Sequence, residues 1–366
     1  MLARFALALA LVGGIPSLVH ALHSNAHSKH GFNWDSTQHL IAFGDSYTFV
    51  QGTHGYPGYS FIGDQLNYAY EADTLLTDKI VQNQTGTSAG GPNWVEYLTG
   101  CGLKEGLTAP VSCARRLWDF AFAGAGVSAE YIPLHHPFTI SLVNQITQCT
   151  TYGHPVLTST STSSSPRHPR PNPNGIVDPS STLIAVWIGI NDINDSAAYN
   201  LTTSFPWFYS ALINTTYTSL QDLSSLGYTK YVLLNLPPLD RTPSNQDRVL
   251  KGGSALPNAT QVEWFNSALE TQSRDFERQN PGSSVLVFDA HKVLIGILDD
   301  PRKHGILNTT DFCPGAKEPD IECNYEKYGC PTPLETYFWY DSGHITSRVH
   351  RELARALDAA LRKWRG

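Results

Sequence analysis

Five short apolar runs, separated by stretches with helical periodicity, narrow this chain to one broad kind of fold. The runs lie at residues 39–43, 118–123, 182–188, 230–236 and 284–289. Each has strand length and is rich in β-branched or aromatic residues. They are apolar almost throughout instead of alternating, which is the pattern of strands covered on both faces. The stretch from Phe208 to Leu226 reads as a helix ended by Gly227, and Thr260 to Arg278 as another stopped by Pro281-Gly282. In a third, from Val349 to Trp364, Val349, Leu353, Leu357, Ala360, Leu361 and Trp364 recur at helical spacing. Strand–helix alternation of this kind predicts a doubly wound α/β fold with a parallel sheet. Ligands in such folds bind at the carboxyl ends of the strands.

Four segments far apart in the chain carry chemistry. They are Gly44-Asp45-Ser46, Ala123-Gly124-Ala125, Gly189-Ile190-Asn191-Asp192 and Asp341-Ser342-Gly343-His344. Gly-Asp-Ser alone arises by chance in roughly a few per cent of chains this long. Position gives it weight: Ser46 closes the first apolar run and Asn191 follows the third. A serine hydroxyl is a poor nucleophile unless a base takes its proton and donors hold the oxyanion that forms. Ser46, on a turn leading into a helix, would expose its Oγ beside backbone N–H groups. His344 is the candidate base, and Asp341, three residues earlier, can orient its ring and stabilise the imidazolium. The Ser46 and Gly124 N–H groups and the Asn191 side-chain amide are the candidate oxyanion donors. Read blandly, Ser46 and Asp192 would be turn or helix caps and Gly124 a junction glycine. Asp45 is not the expected triad acid, because Asp341 is better placed.

The chain has 14 His. His291, two residues after Asp289 at a strand end, is the main competitor for the base. His135, His136, His154 and His168 lie in polar loops without a comparable acidic neighbour in sequence.

Residues 1–21 have the make-up of a secretory signal peptide. Arg4 gives the positive start, Phe5 to Val12 the apolar core, and Val19-His20-Ala21 a small-residue cleavage pattern. That core is too short to span a bilayer, so secretion without stable membrane insertion is expected. The 6 Cys suit disulfides in an oxidising compartment. Cys101 and Cys113 bracket a local loop, and Cys313, Cys323 and Cys330 cluster. One bridge is expected in each place, while Cys149 needs a distant partner or stays free. Asn-x-Ser/Thr sequons at Asn83, Asn194, Asn200, Asn214, Asn258 and Asn308 predict a glycosylated surface.

Residues 22–36 read as a loose polar arm. Its His23, His27 and His30 lack partners at ligand spacing, so no metal and no other cofactor is expected. Residues 158–181 are rich in Ser, Thr and Pro and read as a surface loop. The site segments run from 44 to 344, so a single domain over 37–366 is expected. Charged residues are 16% of the chain and the formal net charge is -7. Without a basic stripe, nucleic acid is disfavoured as a partner, and a neutral ester substrate fits better. The sequence carries no signal for an oligomeric state.

At these residues the chain resembles the SGNH/GDSL-type serine hydrolases, whose blocks read G-D-S, a glycine in block two, G-x-N-D and D-x-x-H. The resemblance implies Ser46 as nucleophile, His344 as base, Asp341 as its orienting acid, and Ser46, Gly124 and Asn191 as the oxyanion hole. It also implies a flavodoxin-like three-layer α/β/α sandwich with a five-stranded parallel sheet. Within that group the chain is similar to fungal secreted acetylesterases of carbohydrate esterase family sixteen. The supporting residues are Phe43-Gly44-Asp45-Ser46-Tyr47, Gly91-Pro92-Asn93-Trp94, Phe120-Ala121-Phe122-Ala123-Gly124-Ala125 and Tyr337-Phe338-Trp339-Tyr340-Asp341. It departs from the pattern at Asp119 (usually Asn), Ala123 (usually Gly) and Ile345 (usually Pro). The implied activity is hydrolysis of short acyl esters on plant cell-wall oligosaccharides. The alternatives are a lipase or phospholipase on longer chains and a non-catalytic carbohydrate-binding protein.

Overall fold

A computed structural model of the chain describes residues 32–63, 72–159 and 177–366. The expected signal peptide, most of the polar arm, His168 and the bulk of the Ser/Pro-rich loop lie outside the described residues. The apolar runs become β1 (His39–Gly44), β2 (Arg116–Asp119), β3 (Leu183–Trp187), β4 (Lys230–Leu234) and β5 (Ser284–Phe288). All pair in parallel, in the order β2-β1-β3-β4-β5. β1 and β3 are buried at every position, as near-continuous apolar runs in a covered sheet must be. The outermost β5 is half-buried along most of its length, as an edge strand is.

Helices flank the sheet. They are α1 (Trp94–Thr99), α2 (Leu142–Gln148), α3 (Ile190–Ser196), α4 (Phe205–Ser225), α5 (Ala259–Gln279), α6 (Ala290–Asp299) and α7 (Ser347–Lys363). α4 packs against α2 and α5, while α7 packs against α1 and α6. The ends are fixed by local chemistry. Asn258 starts α5 with a capping box shared with Gln261. Gly227, at φ 91°, ends α4: its N–H reaches the Ser224 carbonyl and the Tyr228 N–H the Leu223 carbonyl, a Schellman stop. Trp34, Trp94, Trp118, Trp187 and Trp339 are fully buried, so these aromatics serve packing.

Three expectations need correcting. The run 118–123 enters the sheet early, as a strand over Arg116–Asp119, and beyond it the Phe120 and Phe122 N–H groups still donate to the Ala42 and Gly44 carbonyls of β1, at 2.8 and 3.1 Å. The Asp119 carboxylate accepts the Ala121 N–H at 2.8 Å, and Phe120 to Ala123 are buried. The polar arm is packed from Phe32 onward. The Phe32 N–H donates to the Arg365 carbonyl at 2.9 Å, the Trp34 indole donates to Asp358 at 2.7 Å, and Arg115 lies over the Trp34 ring. No helix follows Ser46; residues 45–48 form a turn in which the Thr48 and Phe49 N–H groups both donate to the Asp45 carbonyl.

Cys101 is bonded to Cys113 and Cys313 to Cys330, while Cys149 and Cys323 are free. Among the described residues, no helix is long and apolar enough to cross a membrane.

The strand order places the site. The chain runs from β1 out to the edge at β2, then returns to the other side of β1 as β3. The sheet's switch point therefore lies between β1 and β3, with Gly44 paired to Trp187 at their carboxyl ends. Ser46 leaves one of these strands and Asn191 the other.

Candidate active site

The turn after β1 is held from behind. Gln145, buried in α2, accepts the Gly44 N–H at 3.0 Å and donates to the Gly44 carbonyl at 2.9 Å. One side-chain amide thus reinforces the last residue of β1, whose carbonyl also accepts the Phe122 N–H at 3.1 Å. A Cβ at Gly44 would lie 2.3 Å from the Trp187 carbonyl oxygen, so only glycine fits here. Asp45 points inward, is fully buried and accepts the Tyr47 N–H at 3.0 Å. Ser46 is thereby left half-exposed on the outer side of the turn.

Across from it, the segment after a short strand (Tyr337–Trp339) delivers the His. His344 Nε2 is 2.8 Å from Ser46 Oγ, and its Nδ1 is 2.9 Å from both Asp341 oxygens. The Gly343 and His344 N–H groups also donate to Asp341, each at 2.9 Å. Burial works to raise the Asp341 pKa. The hydrogen bond and charge of His344 and the two N–H groups outweigh it, and hold the carboxyl well below its ordinary range. Tyr47 braces the base: its ring packs on His344 with centroids 5.4 Å apart, and its hydroxyl donates to the Gly343 carbonyl at 2.5 Å.

Two of the candidate oxyanion donors are tied together. The Asn191 amide donates one N–H to the Ala125 carbonyl at 2.9 Å, which fixes its plane and leaves its second N–H to point outward. That bond also ties the start of α3 to the Gly124 loop. Gly124 has φ 82°, a conformation that glycine adopts without cost. Neither the Ser46 nor the Gly124 N–H donates to a protein group among the described residues. Asp119 grips the same wall from below by accepting the Val50 N–H at 2.9 Å.

The structure thus links Ser46, His344 and Asp341 directly, and ties Asn191 to the Gly124 loop. It does not link His291 to them. Asp289 is used as the cap of α6 and the His291 N–H donates to Asn235. That pair borders a separate cavity of about 750 Å³, whose other lining residues include Glu263, Glu270 and Arg274. Asp192 caps nothing: it sits inside α3, fully buried, and accepts the Val127 N–H with both oxygens, at 3.0 and 3.1 Å. His135, set aside for want of an acidic neighbour in sequence, has one in space. Its Nε2 is 2.8 Å from Asp195 Oδ2. Sixty residues separate the two, and no local pattern links them. Gln145 was equally invisible, since a Gln inside a short helix reads as a surface residue.

Burial pushes the Asp45 carboxyl up to about 7, against the opposing pull of the Tyr47 N–H and the nearby His344. Burial likewise raises Asp192 to about 7. An unfolded Asp titrates near about 3.9, so between these values the folded chain binds more protons than the unfolded one. Stability must then fall as pH rises through that window. Asp192→Asn keeps an acceptor for Val127 and removes the charge. Thermal unfolding at pH 4.5, 6 and 8 is expected to show a flatter loss of Tm for the variant than for the parent. Parallel curves would refute the assignment.

A doubly wound sheet with a serine, histidine and aspartate linked at its switch point defines a class of α/β hydrolases. The GDSL-like Lipase/Acylhydrolase family matches residues 40–357, and the chain belongs to it. It is a carboxylic ester hydrolase. Among named relatives it is similar to an acetylesterase of Thermothelomyces thermophilus, 25% identical over 90% of this chain and 89% of the relative. An acetylesterase of Hypocrea jecorina is 24% identical over 93% of each. A plant relative, GDSL esterase/lipase 3 of Arabidopsis thaliana, is 25% identical over 38% of this chain and 40% of its own length.

Proposed function

We propose that this chain is a secreted serine esterase that removes short acyl groups, chiefly acetyl, from plant cell-wall oligosaccharides. The observation that carries the mechanism is the unbroken line of hydrogen bonds from Ser46 Oγ through His344 to Asp341. In this reading His344 Nε2 takes the Ser46 proton as Oγ attacks the ester carbonyl. The Ser46 and Gly124 N–H groups and the Asn191 amide hold the oxyanion, and Asp341 stabilises the imidazolium. His344 then gives the proton to the leaving sugar oxygen. Water, activated by the same ring, releases acetate from the acyl-enzyme. A non-catalytic role predicts a wide gap between Ser46 and His344, and 2.8 Å is the opposite of that.

The substrate side of the reading rests on the names of the full-length relatives, both acetylesterases. Secretion rests on the signal-like segment at 1–21 together with two disulfides and six sequon asparagines that are exposed or half-buried. Incubation with defined acetylated xylo-oligosaccharides is expected to release acetate, and mass spectrometry locates the acetyl lost. Intact oligosaccharides alongside turnover that rises with 4-nitrophenyl esters beyond about eight carbons would favour a lipase instead, because each buried methylene adds about 0.8 kcal/mol of binding.

A further inference from the structure

The second imidazole–carboxylate pair, His135 with Asp195, has no part in the scheme above, yet it lies against Gly124, one of the candidate oxyanion donors. Asp195 lies four residues after Asn191 in α3, so the two side chains leave the same face of that helix. At its other end the His135 ring lies on Gly124. A Cβ at Gly124 would be 3.2 Å from His135 Nδ1 and 3.3 Å from its Cβ. The ring therefore spans from one candidate oxyanion donor to the helix that carries another.

The chemistry of a bound ester says what meets that ring. Three groups leave the carbonyl carbon in one plane. The oxygen enters the hole formed by Ser46, Gly124 and Asn191. The leaving oxygen must face His344 Nε2, which protonates it. The acyl chain takes the remaining direction, away from His344, and in this inference it runs toward His135, which lies against Gly124.

We propose that His135, braced by Asp195, is the end wall of the acyl pocket and confines the site to short acyl groups. This inference rests on the reading of Ser46 as the nucleophile and deepens it. The ring's polarity adds to its bulk. The Asp195 hydrogen bond raises the His135 pKa against the burial that lowers it, and the charges of Asp195, Asp192 and Asp45 act the same way as the bond. A longer alkyl chain would have to strip water from this polar pair without replacing its hydrogen bonds.

The test is kcat/KM for 4-nitrophenyl acetate, butyrate and hexanoate with parent, His135→Ala and Asp195→Ala enzymes, each checked for folding by circular dichroism. His135→Ala is expected to raise the hexanoate-to-acetate ratio at least about tenfold, the discrimination a hydrophobic pocket gains from added methylenes. Asp195→Ala, which frees the ring without removing it, is expected to shift the ratio in the same direction by several-fold. An unchanged ratio in either folded variant overturns the inference, including the case where all three esters slow alike. Ser46→Ala is run beside them. If it still turns over acetate at the parental rate, the underlying reading of the nucleophile has failed, which is a separate result.

Discussion

Replacing Ser46 by alanine is expected to lower kcat for 4-nitrophenyl acetate by at least about 10⁴-fold with little change in KM. The Oγ lies 2.8 Å from His344 Nε2, and no other hydroxyl occupies that position among the described hydrogen bonds of the ring. Without it no acyl-enzyme forms. The donors at Gly124 and Asn191 remain, so binding survives and some residual rate over water persists. The same substitution is expected to abolish covalent labelling by an organophosphate, which separates a lost nucleophile from a damaged fold. Parental turnover, or labelling that survives the change, would remove Ser46 from the reaction.

Asp341→Asn is expected to cost about 10⁴-fold in kcat, although it alters a single atom. The asparagine oxygen can still accept the Gly343 and His344 N–H groups, so the loop keeps its shape. The new amide N–H, however, faces His344 Nδ1, where the carboxylate oxygens now sit at 2.9 Å. That N–H favours the ring tautomer with its proton on Nε2, the atom required to take one from Ser46. Thermal unfolding is expected to change far less than kcat. A variant within tenfold of the parent would mean that Asp341 only builds the loop.

Much of the architecture was written in the spacing of apolar runs, because parallel strands buried on both faces have little freedom in composition. The linked Ser46, Asp341 and His344 were readable for a related reason: each follows the end of an element, where a short motif marks it. What escaped was decided by tertiary packing. The first strand residues, Arg116 and Leu117, precede the apolar run that marks the strand, and pairing with β1 alone sets that start. Ser46 sits on an isolated turn, not at the head of a helix, since Gln145 and Asp45 fix it from within. The His135–Asp195 pair joins a segment that follows β2 to the helix that follows β3, and these come together only in the folded sheet.

The hydrogen bond from Phe32 to Arg365 has a consequence for how this enzyme could be joined to others. α7 starts three residues after His344 and runs for 17 residues, which is about 25 Å of helix. Arg365 stands just beyond its far end, and Phe32 is fastened to it. The first of the described residues and Arg365 therefore lie together, a helix length from His344. A carbohydrate-binding or anchoring module fused after Arg365 would leave from the corner where Phe32 is fastened, away from His344.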